Sequence, residues 1–367
     1  MTHPSAVIVL AAGQGTRMKS STPKVLHSMC GRPLLGHAIV AAEETEPGHI
    51  VVVIRHQRDR VADMVNSFAP EVILADQDEI PGTGRAVQCG LEKLVETTVE
   101  CVGTVLVTSA DVPLLQGATL AELTAAHEEA GNAVTVVTTV VDDPTGYGRI
   151  VREGSGVQAI VEHRDATAEQ RQIKEINAGI YAFDAQFLQT ALAGLGTDND
   201  QGEVYLTDTV AAAVAAGRTC GAFVLADQWQ AQGCNDRAQL AQLRAEMNRR
   251  ILERHMKAGV SITVPATTSI DVDVQIAPDV TIESGCVLEG ETLIDPFAII
   301  GPHTTLRNVT VGEGAIVPHC FGYDTTIEAG VIIDPFTELR SETGPAPDPG
   351  SDVTKPTNSP TTATENN

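Results

Sequence analysis

From Ile270 onward apolar residues recur every six positions, at Ile270, Ile276, Ile282, Leu288, Ile294, Ile300 and Leu306, with small residues, Gly or Pro between them in strings such as IESGCV, IDPFAI and IGPHTT. Ordinary alternating strands also satisfy a spacing of six, because six is a multiple of two. An unbroken series of this length instead predicts a parallel β-helix of hexapeptides, three to a turn in the left-handed form. After one slip the phase resumes at Val311 and Val317, and after an expected insertion around Phe321 to Thr326 it returns at Ile327, Ile333 and Leu339. The stretch Ser341 to Asn367 is rich in Pro, Thr, Ser and Asn and lacks Leu, Ile, Phe and any aromatic. It holds too little apolar surface to offset ordering, so a disordered tail and an early end to the solenoid are expected.

Upstream the rhythm is different. Val7 to Leu10, Ile50 to Ile54, Val72 to Leu74, Thr104 to Thr108 and Val134 to Val140 read as strands separated by helix-like segments. That is the βαβ pattern of a Rossmann-like, doubly wound α/β domain with a mostly parallel sheet. Between Arg237 and Lys257, Leu240, Leu243, Met247, Ile251 and Met256 fall near helical spacing, which predicts one amphipathic helix ended by Gly259. The expected organisation is a nucleotide-handling domain over 1–236, a linker helix over 237–258, a short solenoid over 259–340 and a tail over 341–367.

Charge narrows the function classes. Against 24 Lys and Arg stand 48 Asp and Glu, a formal charge of −24. Such a field repels phosphate backbones and anionic lipid, so neither a nucleic-acid partner nor membrane insertion is expected, and an anionic substrate needs a local basic cluster. The seven cysteines are scattered without a CxxC pair, which reads as reduced thiols in a cytoplasmic protein. The apolar stretch from Ala6 has no basic residues before it and runs into a Gly-containing loop, as a first strand does and a signal peptide does not.

The basic cluster lies in VIVLAAGQGTRMKSSTPKVL, residues 7 to 26. Gly13 and Gly15 let backbone N–H groups approach a phosphate, Arg17 and Lys24 add fixed positive charge, and Pro23 stiffens the approach to Lys24. No GK[ST] closes the loop, so it is not a Walker A motif, and GxG alone is a weak dinucleotide signal. In TVLVTSADVPLL, Asp111 follows a buried-strand pattern at the carboxyl end, where open α/β sheets place ligands and where a carboxylate can hold Mg²⁺. Taken alone, Asp111 could equally cap the turn before Pro113. Asn235 in QGCNDR is the candidate second metal ligand.

LAAGQGTRM followed by Pro23 and Lys24 resembles the signature of nucleotide-sugar pyrophosphorylases. DQDEIPGTGRAV at 76–87, DDPTGYGRIV at 142–151, IVEHRDAT at 160–167, EINAGIYAF at 175–183, EVYLTD at 203–208 and QGCNDRAQL at 232–240 resemble, in order and spacing, the N-acetylglucosamine-1-phosphate uridylyltransferase (GlmU) family, especially its actinobacterial members. The resemblance implies an Mg²⁺-dependent enzyme that joins UTP and N-acetylglucosamine 1-phosphate into UDP-N-acetylglucosamine and pyrophosphate. It assigns the nucleotide to Leu10, Ala11, Ala12, Gly13, Gln77, Gly82, Thr83, Ser109 and Ala110, and the triphosphate to Arg17 and Lys24. The metal falls to Asp111 and Asn235, and the sugar to Gly148, Glu162, Asn177 and Asn235.

The sequence departs from that family in several places. Ala110 stands where Gly is usual, Pro81 where Leu is usual, Arg85 in place of a common His, and Asp236 beside the metal candidate in place of Asn. Ala110 is the expected weak point, because Gly there could adopt a backbone shape a methyl group resists. Full-length relatives also acetylate glucosamine 1-phosphate in later coils at a trimer interface. Arg340 matches the first residue of that site, but the expected LRPG reads LRSE, so the acetyl-CoA site is expected to be absent and a homotrimer through the solenoid is expected to bury less area. Two rival readings stay open: a catalytically silent nucleotide-sugar-binding protein, and a pyrophosphorylase for another sugar phosphate or nucleotide.

Overall fold

The β-branched runs of the amino-terminal part build one mixed sheet. The computed structural model describes residues 3–97 and 101–340, and the chain divides into two units with the boundary between Asn248 and Arg249. In the first unit the strands are β1 (Ala6–Leu10), β2 (His49–Ile54), β3 (Ile73–Asp76), β4 (Thr104–Ser109), β5 (Val134–Val140), β6 (Arg149–Glu153), β7 (Gly156–Val161), β8 (Glu175–Asp184) and β9 (Cys220–Val224). Their order is β9-β5-β8-β4-β1-β2-β3, with the β6–β7 hairpin attached to β8. The contacts β1–β2, β1–β4, β2–β3 and β5–β9 are parallel, while β8 runs antiparallel between β4 and β5. The third strand begins one residue later than the sequence pattern implies and extends to Asp76, opposite Ile54.

Alternate residues of each strand face opposite sides. Ile8, Val51, Val53, Val105 and Val107 pack under helices α3 (Thr83–Thr97), α5 (Ala185–Gly194) and α6 (Asp208–Ala215). Val7, Val9, Val52, Ile54 and Leu106 pack under α1 (Leu34–Glu43), α2 (Arg58–Phe68) and α4 (Gly117–Ala130). Burial on both faces explains why these strands read as continuous apolar runs. It also leaves one open rim: β1, β2, β3 and β4 end side by side at Leu10, Ile54, Asp76 and Ser109.

Helix α7 spans Arg237–Lys257, as its spacing predicts, and Gly259 ends it at φ +99°. Its amino end is capped by Asp236, whose Oδ1 accepts the Gln239 N–H at 2.8 Å.

In the second unit, short strands stack in parallel ladders. Every third member of the six-residue series falls in one column: Ile270 beside Leu288 beside Leu306, Ile276 beside Ile294 beside Val311, and Ile282 beside Ile300 beside Val317. All but Ile276 are buried. The insertion expected at Phe321 to Thr326 does not occur. Those residues form the strand Phe321–Ile327, in parallel register with Thr305–Val311. The inward slot opposite Leu306 is held by Gly322, where a Cβ would come 2.8 Å from a Leu306 methyl. Leu306 fills the space, so the parallel ladder continues while its hydrophobic signal vanishes. The stretch expected to be disordered, from Ser341, lies outside the described residues. Among the described residues no helix is long and apolar enough to cross a membrane.

Candidate active site

The loop that follows β1 turns across the open rim. Ala11 N–H donates to the Val53 carbonyl at 2.8 Å, and Gly15, at φ +65°, lies where a Cβ would come 2.5 Å from the Lys24 Cβ. The missing side chain lets Lys24 lie against the loop and reach across β1 to the end of β4. There its Nζ meets Asp111 Oδ2 at 2.5 Å, both side chains being largely buried. The other carboxylate oxygen accepts from Ser109 Oγ at 2.7 Å. Over Gly13 nothing lies within 4 Å of an added Cβ, so its surface faces open cavity.

Asp111 is wrapped by the segment before α7. Cys234 N–H donates to the Asp111 carbonyl at 2.8 Å, and a Cβ on Gly233 would sit 3.8 Å from the carboxylate. Cys234 is fully buried, and burial beside Asp111 pushes its thiol up to about 11. It is a packing group and no thiolate. Next to it Asn235 Oδ1 accepts from Arg17 Nη2 at 2.7 Å, so these two expected site residues hold one another.

Ala110 is not strained. Its φ is not positive, its N–H donates to the Leu10 carbonyl at 3.0 Å, and its methyl group lies in the core with Leu106 and Ala11. The expected weak point is therefore accommodated by burial away from the cavity. Asp236, the other departure beside the metal candidate, uses its carboxylate for the helix cap.

Toward β3, the Gln77 amide nitrogen donates to the carbonyls of Ile80 and Gly82 at 3.0 and 3.2 Å. Gly82, at φ +119°, fits because a Cβ would land 2.2 Å from the Val204 carbonyl oxygen. The loop is stitched to the 203–206 segment: Val204 N–H to Pro81 O at 3.0 Å, Gly84 N–H to Val204 O at 2.8 Å, and Leu206 N–H to Thr83 Oγ1 at 3.1 Å. Arg85 ties Asp78 to Glu92, and the Arg85 hydrogen bond holds the Asp78 carboxyl below its usual range.

On the opposite side Gly148, Glu162 and Asn177 converge. A Cβ on Gly148 would lie 3.0 Å from Ile160 Cγ2 and 3.3 Å from Glu162 Oε1, and Asn177 N–H donates to the Gly148 carbonyl at 3.0 Å. Asn177 Nδ2 donates to the buried Tyr181 hydroxyl at 2.6 Å, while its Oδ1 accepts from Gly179 N–H at 2.9 Å. Burial, then the nearby Asp165, Asp208 and Glu203, push the Glu162 carboxyl above its usual range. Behind this wall Arg149 is 1% exposed. It donates to the Tyr147 carbonyl and, at 3.1 Å, meets His163 Nδ1, bracing the Gly148 loop against the Glu162 turn.

Lys24, Asp111, Gln77, Gly82, Gly148, Glu162 and Asn177 line one cavity of about 580 Å³. The MobA-like NTP transferase domain family matches residues 7–180. Bifunctional protein GlmU of Kineococcus radiotolerans is 54% identical over 340 residues, which is 93% of this chain and 69% of that protein. The corresponding proteins of Paenarthrobacter aurescens and Thermobifida fusca are 52% and 49% identical, over 93% and 89% of this chain and 68% and 67% of their own lengths.

The chain belongs to the GlmU family.

It is thus a nucleotidyltransferase, and its cavity can be compared with the residues that the GlmU resemblance implies. Leu10, Ala11, Ala12, Gly13, Lys24, Gln77, Gly82, Thr83, Ser109, Asp111, Gly148, Glu162 and Asn177 line it, whereas Arg17, Ala110 and Asn235 do not. Arg17 and Asn235 bond to one another outside the cavity lining. Sequence reasoning missed Arg55, His56, Tyr147, Glu203 and Thr207, which also line the cavity. The signal for Arg55 and His56 was their place directly after a predicted strand, the same position that singled out Asp111. Among the described residues no group of three or more His, Cys, Asp or Glu side chains could hold a metal ion.

Proposed function

We propose that the cavity transfers a uridylyl group from UTP to N-acetylglucosamine 1-phosphate, giving UDP-N-acetylglucosamine and pyrophosphate. The observation that carries this reading is the Lys24–Asp111 pair, set between the Gln77–Gly82 loop and the Gly148–Glu162–Asn177 wall. A nucleotide on one side and a sugar on the other would meet above that pair.

The sugar phosphate is already an anionic oxygen nucleophile, so it attacks the α-phosphorus without a protein base. The new P–O bond forms as the bond to pyrophosphate breaks, and the electron pair leaves with pyrophosphate. The protein's part is placement and neutralisation of charge. Backbone groups of Leu10 to Gly13 and the Gln77 side chain, helped by Gly82 and Thr83, hold the nucleoside, with Ser109 at its phosphate end. Lys24 and Arg17 neutralise the triphosphate. Gly148, Glu162 and Asn177 hold the sugar.

Asp111 and Asn235 present oxygen donors suited to Mg²⁺, which binds through one or two protein oxygens and substrate phosphates. Bound there, the ion would polarise the phosphoryl oxygens and stabilise the leaving pyrophosphate. Asp111 pairs with Lys24 and Asn235 with Arg17; with both oxygens given to the ion, Lys24 and Arg17 would be left for phosphate.

We read residues 1–236 as the uridylyltransferase domain, 237–258 as a linker helix and 259–340 as a left-handed β-helix that trimerises the chain. Beyond Arg340 the sequence continues no six-residue period, so these residues supply no acetyl-CoA site. The test is pyrophosphate release with Mg²⁺, UTP and N-acetylglucosamine 1-phosphate, beside glucosamine 1-phosphate with acetyl-CoA. Release without acetyl transfer is expected; acetyl transfer, or no release, overturns the reading.

A further inference from the structure

Lys24 and Arg55 are the two Lys or Arg side chains lining the cavity among the described residues. Lys24 is paired with Asp111. Arg55 makes no ion pair of this kind: its hydrogen bond runs from Nη2 to the Glu79 carbonyl, at 3.3 Å, and the nearby Asp78 carboxylate is bonded to Arg85. Its place follows from the sheet. Arg55 comes directly after Ile54 at the carboxyl end of β2, between β1 and β3. Two strand spacings, about 10 Å, separate β2 from β4, which carries the reaction centre. On its other side Gln77 N–H donates to the Ile54 carbonyl at 2.9 Å, so Arg55 and Gln77 are neighbours on the rim.

Both side chains organise the same loop, Arg55 through Glu79 and Gln77 through Ile80 and Gly82. The two carbonyls on the Gln77 nitrogen fix its amide orientation, which leaves Oε1 as an acceptor toward the cavity. Arg55 is donor-only. An acceptor beside a donor complements the imide edge of uracil, whose N3–H donates and whose flanking O2 and O4 accept. Cytosine offers an unprotonated N3 and one carbonyl, and adenine has no carbonyl.

We propose that Arg55 is a specificity-determining residue that donates to uracil O4, the carbonyl that cytosine replaces with an amine, while Gln77 Oε1 accepts from N3–H. The inference rests on the cavity being the UTP site. It accounts for a cavity-lining guanidinium whose hydrogen bond goes to the loop carbonyl of Glu79, two strands away from the strand that leads to Asp111.

The test is Arg55→Ala in the full chain, assayed with UTP and CTP, with the KM for N-acetylglucosamine 1-phosphate and inhibition by pyrophosphate measured alongside. Loss of one charge-assisted hydrogen bond predicts a KM for UTP raised about tenfold or more, with kcat within about twofold. The ratio of kcat/KM for UTP over CTP should fall by a similar factor, while the sugar-phosphate KM and the pyrophosphate inhibition constant stay put. An unchanged KM for UTP overturns the proposal, and so does an equal loss for UTP, CTP and pyrophosphate, which would make Arg55 a phosphate ligand. Asp111→Ala separates the two readings. Wild-type turnover in that variant defeats the cavity as the reaction site, whereas a dead Asp111→Ala beside an unaffected Arg55→Ala defeats this inference alone.

Discussion

Gly13 and Gly82 both line the cavity, yet the structure gives them opposite reasons to be glycine. At Gly82 φ is +119° and an added Cβ would sit 2.2 Å from the Val204 carbonyl oxygen and 2.5 Å from its nitrogen. Backbone cannot yield as a side-chain tip can, so Gly82→Ala must displace the loop from the 203–206 segment. The unfavourable φ costs about 1–3 kcal/mol. Weakening the bonds Val204 N–H to Pro81 O and Gly84 N–H to Val204 O adds about 1 kcal/mol each. A total of roughly 3–5 kcal/mol lowers the melting temperature by about 6–20 °C for a unit of this size. At Gly13 the Cβ meets nothing within 4 Å, so Gly13→Ala should melt within about 2 °C of wild type while raising the KM for UTP, because the methyl group enters the nucleotide's space. Thermal unfolding by circular dichroism and steady-state kinetics on both variants decide the matter. A Gly82→Ala protein as stable as wild type, or a Gly13→Ala protein that loses stability but no nucleotide affinity, would refute the reasoning.

The remaining predictions concern the helix cap and the acidic wall. Asp236→Ala removes the acceptor for Gln239 N–H and should cost about 1 kcal/mol in chemical denaturation; Asp236→Asn should restore most of it, and a loss that Asn does not restore would contradict the capping role. Burial and acidic neighbours raise the Glu162 carboxyl, so the folded state holds this proton longer than the unfolded chain does. Stability from this group is present in acid, below the ordinary carboxylate range, and is lost as pH rises through the raised folded value. Glu162→Gln should therefore melt above wild type at neutral pH, match it in acid and bind the sugar phosphate more weakly. A melting difference of the same size at both pH values would show that burial of this carboxyl is not the cause.

Much of this was legible because burial on both faces of the sheet writes itself as uninterrupted β-branched residues, as in Ile50 to Ile54 and Val134 to Val140. The six-residue series was legible because each third member stacks on the last. What escaped were places where one residue's role is filled by another's bulk. Gly322 takes an inward slot that Leu306 fills, so a continuing parallel ladder reads as an insertion. The antiparallel entry of β8 escaped as well, since strand direction leaves no mark in the alternation of EINAGIYAF. In the site, Lys24 and Asp111 were legible from their strings, and Asp111 also from its place just beyond a strand end. Arg55 was not, because a charged residue after a strand is ordinary until the fold sets it on the cavity wall. The reach of Arg17 to Asn235 joins segments far apart in sequence, and nothing local foreshadows it.

The most direct test of the central claim is mass-spectrometric identification of the product formed from UTP, N-acetylglucosamine 1-phosphate and Mg²⁺ by the wild type, Lys24→Ala and Asp111→Asn. UDP-N-acetylglucosamine from the wild type, falling by about a hundredfold or more in each variant, is the predicted result. A wild type that makes none of this product, or variants that make it at the wild-type rate, would contradict the account.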